Sequence, residues 1–255
     1  MIGRVGTQII YPLLGIVFLI ALWWLLCLYF RVPTVVLPTP DKVVHALVAR
    51  HDLILEEGWV TLKETILGFI LAIVVGIPMA VLVANSRPIN LIVSPLLIGL
   101  QSVPKVALAP IILVWLGTGI ESKLAIVWLV SFFPIIVDTV AGLRSTPREL
   151  IELARSLRAS PLQIFVKAQL PAALPFILTG AKVAITLAVI GAVIGEFVGS
   201  SEGLGFLLLT ATSQLDTPLA FAALIALSLL GVFAYLLVEG AERLAAPWLP
   251  PAPPH

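Results

Sequence analysis

The sequence predicts an all-α membrane protein with about six transmembrane helices and a cytoplasmic helix–turn–helix between the fourth and the fifth. Hydrophobic residues make up 60% of the 255 residues and charged residues 11%, against roughly 45–50% and about 25% in soluble domains. Apolar runs of the length that crosses a bilayer recur along the chain. One polar segment, residues 144–171, interrupts them and carries five of the fifteen basic residues. With a mean hydropathy of +1.13, a soluble globular protein is excluded.

The apolar runs belong to a single transmembrane domain over residues 1–255. The first run begins within ten residues of Met1 and has no small-residue cleavage site after it, so we expect a retained span rather than a signal peptide. The proline-rich tail, 246–255, is predicted to be disordered. The six spans are predicted at 9–30, 62–84, 91–116, 122–141, 172–198 and 217–239.

Two stretches between the spans have structure of their own. Residues Asp41 to Arg50 have the pattern of a short amphipathic helix after the first span. Residues 200–214 are apolar yet too short to cross the membrane. Two interpretations of them remain open: a re-entrant segment that acts as a gate, or an outer loop with an interfacial helix.

The polar loop, as we call residues 144–171, contains two helix starts. Thr146–Glu149 and Ser160–Gln163 each have a hydroxyl N-cap, proline at the first helical position and Glu or Gln at the third, which is a capping box. Leu170 precedes Pro171, which disfavours helix at that leucine and predicts the end of the second helix. Between the two starts, one apolar helix face is formed by Leu150, Leu153, Ala154 and Leu157.

The distribution of Lys and Arg orients the chain, since cytoplasmic loops are enriched in these residues. With the N-terminus inside, the polar loop and the C-terminus are also cytoplasmic. The inner set is then Arg4, Arg87, Arg144, Arg148, Arg155, Arg158, Lys167 and Arg243, and the outer set is Arg31, Lys42, Arg50, Lys63 and Lys123. The five cations of the polar loop decide this orientation.

Charges inside spans are expensive and point to function by default. Lys105 follows Pro104 near the middle of the third span, and it could face Glu196 across a central cavity. We interpret it as part of a water-filled pathway for an anionic or polar solute. Lys182 and Asp138 could form a second pair, for which a structural role is favoured because Lys182 can also extend to the interface.

Small residues recur every four positions in the fifth span. Gly191, Gly195 and Gly199 have this spacing, which lets membrane helices approach closely. The pattern fits packing within one subunit, and it equally fits contact with a two-fold partner or with the pore.

The sequence gives little support for catalysis. A GxSxG-like stretch lies at Gly199–Gly203, but His45, His51 and His255 are outside the spans, so no base is available in the membrane. There is no P-loop, and the histidines and the single cysteine have no metal-ligand spacing. A net charge of +1 gives no reason to expect nucleic-acid binding. We therefore expect neither an enzyme nor a cofactor or metal site in this chain.

The polar loop resembles the EAA loop of permease subunits of type I ABC importers. That motif has E-A-A, then a glycine, then a hydrophobic-Leu-Pro ending, and this chain has Glu152-Leu153-Ala154, Arg158 and Gln169-Leu170-Pro171. Leu37–Pro40, Gln101–Lys105, Ser131–Pro134 and Gly199–Gly205 resemble the nitrate/sulfonate/taurine branch of binding-protein-dependent permeases. Gln101-x-x-Pro104-Lys105, with Ala109-Pro110, is more similar to members associated with pyrimidine-type vitamin precursors or riboflavin than with sulfonates.

Two residues depart from the family motif. Leu153 replaces its first alanine, and Arg158 replaces its glycine. If Arg158 lies at a left-handed position after the helix, it costs on the order of 1 kcal/mol relative to glycine. Either the turn avoids positive φ, or the strain is retained so that Arg158 can reach an acidic partner.

The resemblance implies a permease in the inner membrane that works as a dimer, expected to be a homodimer. Two cytoplasmic ATPase subunits would hold the ATP and Mg, and a solute-binding protein would deliver a small polar solute. The residues implied in ATPase docking are Glu152, Leu153, Ala154, Leu157, Arg158, Ala159 and Ser160. Those implied in the translocation path or gate are Gln101, Pro104, Lys105, Phe132, Phe133 and Glu196.

Three alternatives differ in class from an ATP-driven permease. A secondary transporter or channel would work without an ATPase, but the internal repeats common in secondary transporters are missing from the sequence. A membrane scaffold would bind some other protein through the polar loop. An intramembrane enzyme is disfavoured by the absent base.

Overall fold

The computed structural model describes the backbone of residues 2–245 and the side chains of residues 10, 11, 14–97 and 99–245. In that part of the chain the regular structure is helical, without strands, which confirms the predicted fold class. The tail 246–255 lies outside the described residues. The helices are α1 Ile2–Tyr29, α2 Pro40–Ala49, α3 His51–Asn85, α4 Arg87–Gln101, α5 Lys105–Leu116, α6 Ile120–Arg144, α7 Arg148–Ser156, α8 Pro161–Ile164, α9 Leu170–Gly199, α10 Leu204–Ser213 and α11 Thr217–Ala245.

Four helical segments of the described chain are long and apolar enough to cross a membrane: His51–Asn85, Ile120–Arg144, Pro161–Gly199 and Thr217–Ala245. They correspond to the second, fourth, fifth and sixth predicted spans. The paired helices α4 and α5 make a fifth if they count as one broken span. The first predicted span falls in α1, Ile2–Tyr29, of which the apolar stretch Leu14–Tyr29 is fully described, and that span stays a prediction.

The third predicted span, 91–116, is two helices rather than one. Helices α4 and α5 meet at an angle of 100° around Ser102–Pro104. Pro104 lacks a backbone N–H and restricts the residue before it to extended conformations, so the helix ends there. Pro95 and Pro110, in contrast, lie inside α4 and α5.

The core lies where α3, α6 and α9 pack together. Ala72 of α3, Ile136 of α6 and Ala188 of α9 are fully buried in one apolar cluster. At Gly191 of α9, an added Cβ would lie 2.9 Å from the Cα of Val127 in α6. The small-residue face of the fifth span is therefore used, at Gly191, for close packing within the subunit.

A second apolar cluster joins α2, α10 and α11 near the start of α3. The helix predicted over Asp41–Arg50 is confirmed as α2. The segment predicted as a gate or an outer loop contains α10, in which Leu204, Leu207 and Ala211 are buried. Helix α10 is thus packed into the protein on one face rather than lying free at the interface.

The polar loop confirms one predicted capping box and corrects the other. Ser160 Oγ accepts from the N–H of Gln163 at 3.3 Å, and Gln163 Oε1 accepts from the N–H of Ser160 at 2.8 Å. The box predicted at Thr146 was wrong. The Thr146 hydroxyl donates to the Leu143 carbonyl at the end of α6, and α7 begins at Arg148 without a side-chain cap.

The second helix of the predicted helix–turn–helix does not end at Pro171. It runs from Pro161 through a π-helical turn, Phe165–Gln169, directly into α9. In an α-helix the ring of Pro171 would collide with the carbonyl four residues earlier, and the wider turn relieves that contact. The polar loop is therefore one short helix, α7, a turn, and the beginning of a continuous membrane-spanning helix.

Candidate coupling surface and buried polar cluster

The polar loop presents an apolar stripe on α7. Leu150, Leu153 and Leu157 are 43%, 57% and 74% exposed, whereas Ile151 and Ala154 on the neighbouring face are half-buried. The exposed charged residues of this helix are Arg148, Glu149, Glu152 and Arg155. If the polar loop lies outside the membrane, as its basic residues predict, an apolar stripe bordered by charges is a candidate protein interaction surface.

The turn after α7 is a Schellman motif. The N–H of Ala159 donates to the Ala154 carbonyl at 3.0 Å, and the N–H of Arg158 donates to the Arg155 carbonyl at 2.9 Å. This motif requires a left-handed residue at the position of Arg158, and Arg158 has φ +56°. Of the two possibilities raised by the sequence, the turn therefore adopts the strained one.

The seven residues predicted to dock an ATPase lie together on α7 and this turn. Two of them, Ala154 and Ala159, are half-buried and fix the turn through their backbone. The exposed members are Glu152, Leu153, Leu157, Arg158 and Ser160.

The predicted pathway residues fall into two environments. Gln101 and Pro104 are exposed around the α4–α5 break, whereas Phe132 and Phe133 of α6 are 7% and 4% exposed and belong to the core. Lys105 connects the two, because its Nζ lies 4.8 Å from the centroid of the Phe133 ring.

Glu196 does not face Lys105 as predicted. Its side chain is buried in α9, where Oε1 accepts from the Thr61 hydroxyl at 2.6 Å and Oε2 accepts from the N–H of Gly205 at 2.5 Å. Lys105 contacts Phe133 instead, and no ion pair joins it to Glu196 among the described side chains. The physical reason is that α10 folds back onto α9 and supplies backbone donors.

Glu196 lies beside residues that sequence reasoning missed. Lys123 of α6 and Glu64 of α3 form an ion pair at 3.0 Å, with side chains 5% and 2% exposed. Lys123 was counted only as one of the outer cations; it lies in the first turn of α6, which begins at Ile120, and is buried. We call Thr61, Glu64, Lys123 and Glu196 the buried polar cluster.

The buried polar cluster holds the N-terminus of α10. The N–H of Leu204 donates to Thr61 Oγ1 at 2.9 Å, and the N–H of Gly203 donates to the Glu57 carboxylate. Gly203 has φ +103°, and a Cβ there would collide with the Glu196 carboxylate. Side chains of α3 and α9 thus satisfy amide groups that the start of a helix leaves without partners.

The cluster and the polar loop lie at opposite ends of the helical bundle. Arg144, at the start of the polar loop, donates to the carbonyl of Val83 at 3.5 Å, so the ends of α6 and α3 are adjacent. Glu64 precedes Val83 along α3 by about 28 Å of helix, at 1.5 Å per residue. Lys123 is similarly distant along α6.

The second predicted charge pair is also replaced. Lys182 forms an ion pair with Glu242 of α11 and lies 5.8 Å from the centroid of the Tyr235 ring. Its predicted partner, Asp138, packs against Gly180 of α9 instead. Lys182 therefore joins α9 to α11, which supports the structural role expected for it.

Comparison with known proteins gives one family match. Residues 68–246 match the family described as "Binding-protein-dependent transport system inner membrane component". The matched region begins in α3 and includes the polar loop and the part of the buried polar cluster on α6 and α9.

Curated proteins resemble the chain over most of its length. A "Probable ABC transporter permease protein" of Haemophilus influenzae is 35% identical, over 91% of this chain and 95% of that protein. The "Formylaminopyrimidine transport permease protein ThiX" of Halalkalibacterium halodurans is 36% identical, over 94% and 96%. The "Riboflavin transport system permease protein RibX" of Chloroflexus aurantiacus is 34% identical, over 85% and 81%.

A solved structure shares the fold. A chain of the MetNI methionine ABC transporter, in inward-facing conformations, aligns with a TM-score of 0.66 at 24% identity. The alignment covers 77% of this chain and 97% of that chain.

Proposed function

Because the chain belongs to the family of binding-protein-dependent transport system inner membrane components and is the permease subunit of an ABC importer, we propose that its polar loop docks a separate ATPase. The observation that carries this proposal is the exposed apolar stripe of α7, Leu150, Leu153 and Leu157. Such a stripe needs a partner surface in the cytoplasm, and the absence of a P-loop in this chain means that ATP must be bound elsewhere.

The proposed mechanism assigns movement to this chain and hydrolysis to its partner. Two copies form the translocation path, and two ATPase subunits, which hold the ATP and Mg, dock under the two polar loops. Closure of the ATPase pair brings the loops together. Because Ser160 caps a helix that continues through the π turn into α9, displacement of the loop is passed into the membrane-spanning bundle.

The orientation that we propose has the polar loop and both termini in the cytoplasm of a multi-pass inner-membrane protein. The buried polar cluster and α2 then lie toward the outer face, where a solute-binding protein would deliver substrate. A cavity of 710 Å³ between α2 and the start of α11 supports docking there, because charged side chains line it. They include Asp41, Lys42, His45, Arg50 and Asp216.

The substrate that we propose is a small polar solute of the vitamin or pyrimidine-precursor class. The names of the permeases from Halalkalibacterium and Chloroflexus support this class, since one carries formylaminopyrimidine and the other riboflavin. Lys105, at the α4–α5 break, provides a cation for a polar or anionic group. A nitrate-, sulfonate- or taurine-like anion is the alternative that the same cation would suit.

Co-purification from native membranes tests the proposed function. We expect tagged protein to bring down an ATPase subunit with a Walker A motif and, after reconstitution with its binding protein, to import substrate only with ATP. Transport without any ATPase subunit would indicate a secondary transporter or channel and contradict the proposal. Competition between a formylaminopyrimidine and an alkanesulfonate then separates the two substrate classes.

A further inference from the structure

Arg158 is a strained residue in the turn after α7. Its φ of +56° lies in the region where a Cβ is unfavourable and glycine is free of that penalty. The side chain is exposed, and it takes part in no ion pair or side-chain hydrogen bond with the described residues. The strain is thus not offset within the part of the chain that the structure describes.

The turn itself requires only the backbone of this residue. Its two hydrogen bonds use the N–H groups of Arg158 and Ala159 and the carbonyls of Arg155 and Ala154. A glycine would form the same bonds at lower cost. The guanidinium therefore contributes no hydrogen bond to the Schellman motif and is free to meet a partner.

The surroundings of Arg158 define what it can meet. It follows directly on Leu157, which is 74% exposed and ends the apolar stripe. The polar loop carries five basic residues and only two acids, Glu149 and Glu152, and neither acid pairs with Arg158 in the structure. A surface that covers Leu153 and Leu157 would place its edge against an uncompensated positive charge, which a carboxylate complements.

We propose that Arg158 binds a carboxylate on the ATPase subunit, at the edge of the surface that covers Leu153 and Leu157. This inference rests on the proposed function and adds to it the chemistry of the partner. A guanidinium can hold a carboxylate through two parallel N–H···O bonds, which fixes orientation as well as affinity. Arg158 is then a specificity determinant: it distinguishes an ATPase subunit with an acid at that position from one without it.

Replacing Arg158 by glycine separates the effect of the residue on stability from its effect on ATPase binding, because we expect stability to rise and affinity to fall. The R158G permease is expected to unfold at a Tm about 2–4 °C higher, since the backbone strain is removed. Its affinity for the ATPase subunit that co-purifies with the wild type is expected to fall about tenfold. R158A should lose the same affinity without the gain in Tm, because alanine keeps the Cβ.

A control and a rescue complete the experiment. Arg87→Ala removes the same charge from an exposed arginine at the start of α4, outside the polar loop, and should leave ATPase affinity within about twofold of the wild type. Wild-type affinity should fall steeply between low and high salt, and R158G should flatten that dependence, because the lost pair is electrostatic. R158E should bind poorly, and a Lys in place of the acidic residue on the ATPase surface that covers Leu157 should restore its binding.

Two results overturn the inference, and they are distinguishable. If the wild type and R158G bind the ATPase subunit with equal affinity and equal salt dependence, Arg158 has no carboxylate partner, although docking at the polar loop stands. If the wild type itself binds no ATPase subunit, both the inference and the proposed function are wrong.

Discussion

The two ends of this molecule treat polar and apolar side chains in opposite ways. In the buried polar cluster, Glu64, Lys123 and Glu196 are inside the protein and have partners within the chain. In the polar loop, the side chains of Leu153 and Leu157 are exposed on the surface of the subunit. The first arrangement finds its ion pair and most of its hydrogen bonds within a single subunit, with Glu64 Oε2 left without a hydrogen-bond partner among the described residues. We propose that the second is completed by another surface. Under the proposed function, this difference separates residues needed for folding from residues needed for assembly.

The largest expected effect on folding comes from breaking the buried ion pair. Lys123→Met leaves the Glu64 carboxylate buried without its cation, and we expect a loss of roughly 3–5 kcal/mol of stability. Thermal unfolding in detergent measures it. Lys63→Met, an exposed lysine on the same helix as Glu64, is the control and should change little.

A double variant sharpens this result. With both Lys123→Met and Glu64→Leu, neither member of the ion pair is left without its partner, and much of the lost stability should return. If the single Lys123→Met variant unfolds at the wild-type temperature, the ion pair does not hold α3 to α6, and the buried polar cluster is not needed for folding.

A smaller effect is expected where the cluster holds α10. Thr61→Val removes the hydroxyl that donates to Glu196 and accepts from the N–H of Leu204. Leaving these buried groups without partners should cost about 1–3 kcal/mol. Amide hydrogen exchange should become faster at the start of α10. The exposed Thr179→Val is the matched control, and equal exchange in the two variants would argue against a role for Thr61.

Lys105 is expected to matter more for transport than for stability. A cation–π contact such as that of Lys105 with the Phe133 ring is worth about 0.5–1 kcal/mol at exposed sites, so Lys105→Ala should lower Tm slightly. If Lys105 lines the pathway, the reconstituted importer should lose most of its transport while ATPase binding is unchanged. Full transport by Lys105→Ala would refute the pathway role.

The smallest effect on folding is expected at the polar loop, together with a large effect on assembly. Leu153→Ser and Leu157→Ser replace exposed side chains, so stability should stay within about 0.5 kcal/mol. Co-purification of the ATPase subunit should be lost, because the apolar contact is removed. A marked drop in Tm for either variant would show that the stripe is packed within the subunit.

Sequence reasoning predicted the helices better than their polar contacts. Apolar length and the Ser160 capping box identified the elements, since these signals are local. The ion pair of Glu64 with Lys123 joins residues far apart in the sequence, and both sit near the ends of apolar runs, where charges commonly reach water. Only the packing of α3 against α6, and an α3 that begins at His51 rather than near residue 62, shows that they are buried.

Two other errors have local physical causes. Pro171 was predicted to end a helix, but a π turn absorbs the proline without a break. Glu196 was expected across from Lys105 because both lie at similar depth in their spans. Depth along a helix gives no information about its rotation, and rotation is what directs Glu196 toward Thr61 and α10.

The π turn at Phe165–Gln169 also sets how far the capped turn at Ser160 is rotated about the helix axis relative to α9. It contains one residue more than an α-helical turn would, and one residue corresponds to a rotation of about 100° around the helix axis. The capped turn at Ser160 and the side chain of Glu196 lie on one continuous helix, Pro161–Gly199. The extra residue therefore determines the direction in which the exposed leucines of the polar loop point relative to the buried Glu196 carboxylate. Deletion of one residue there would rotate the polar loop about the helix axis relative to the buried polar cluster.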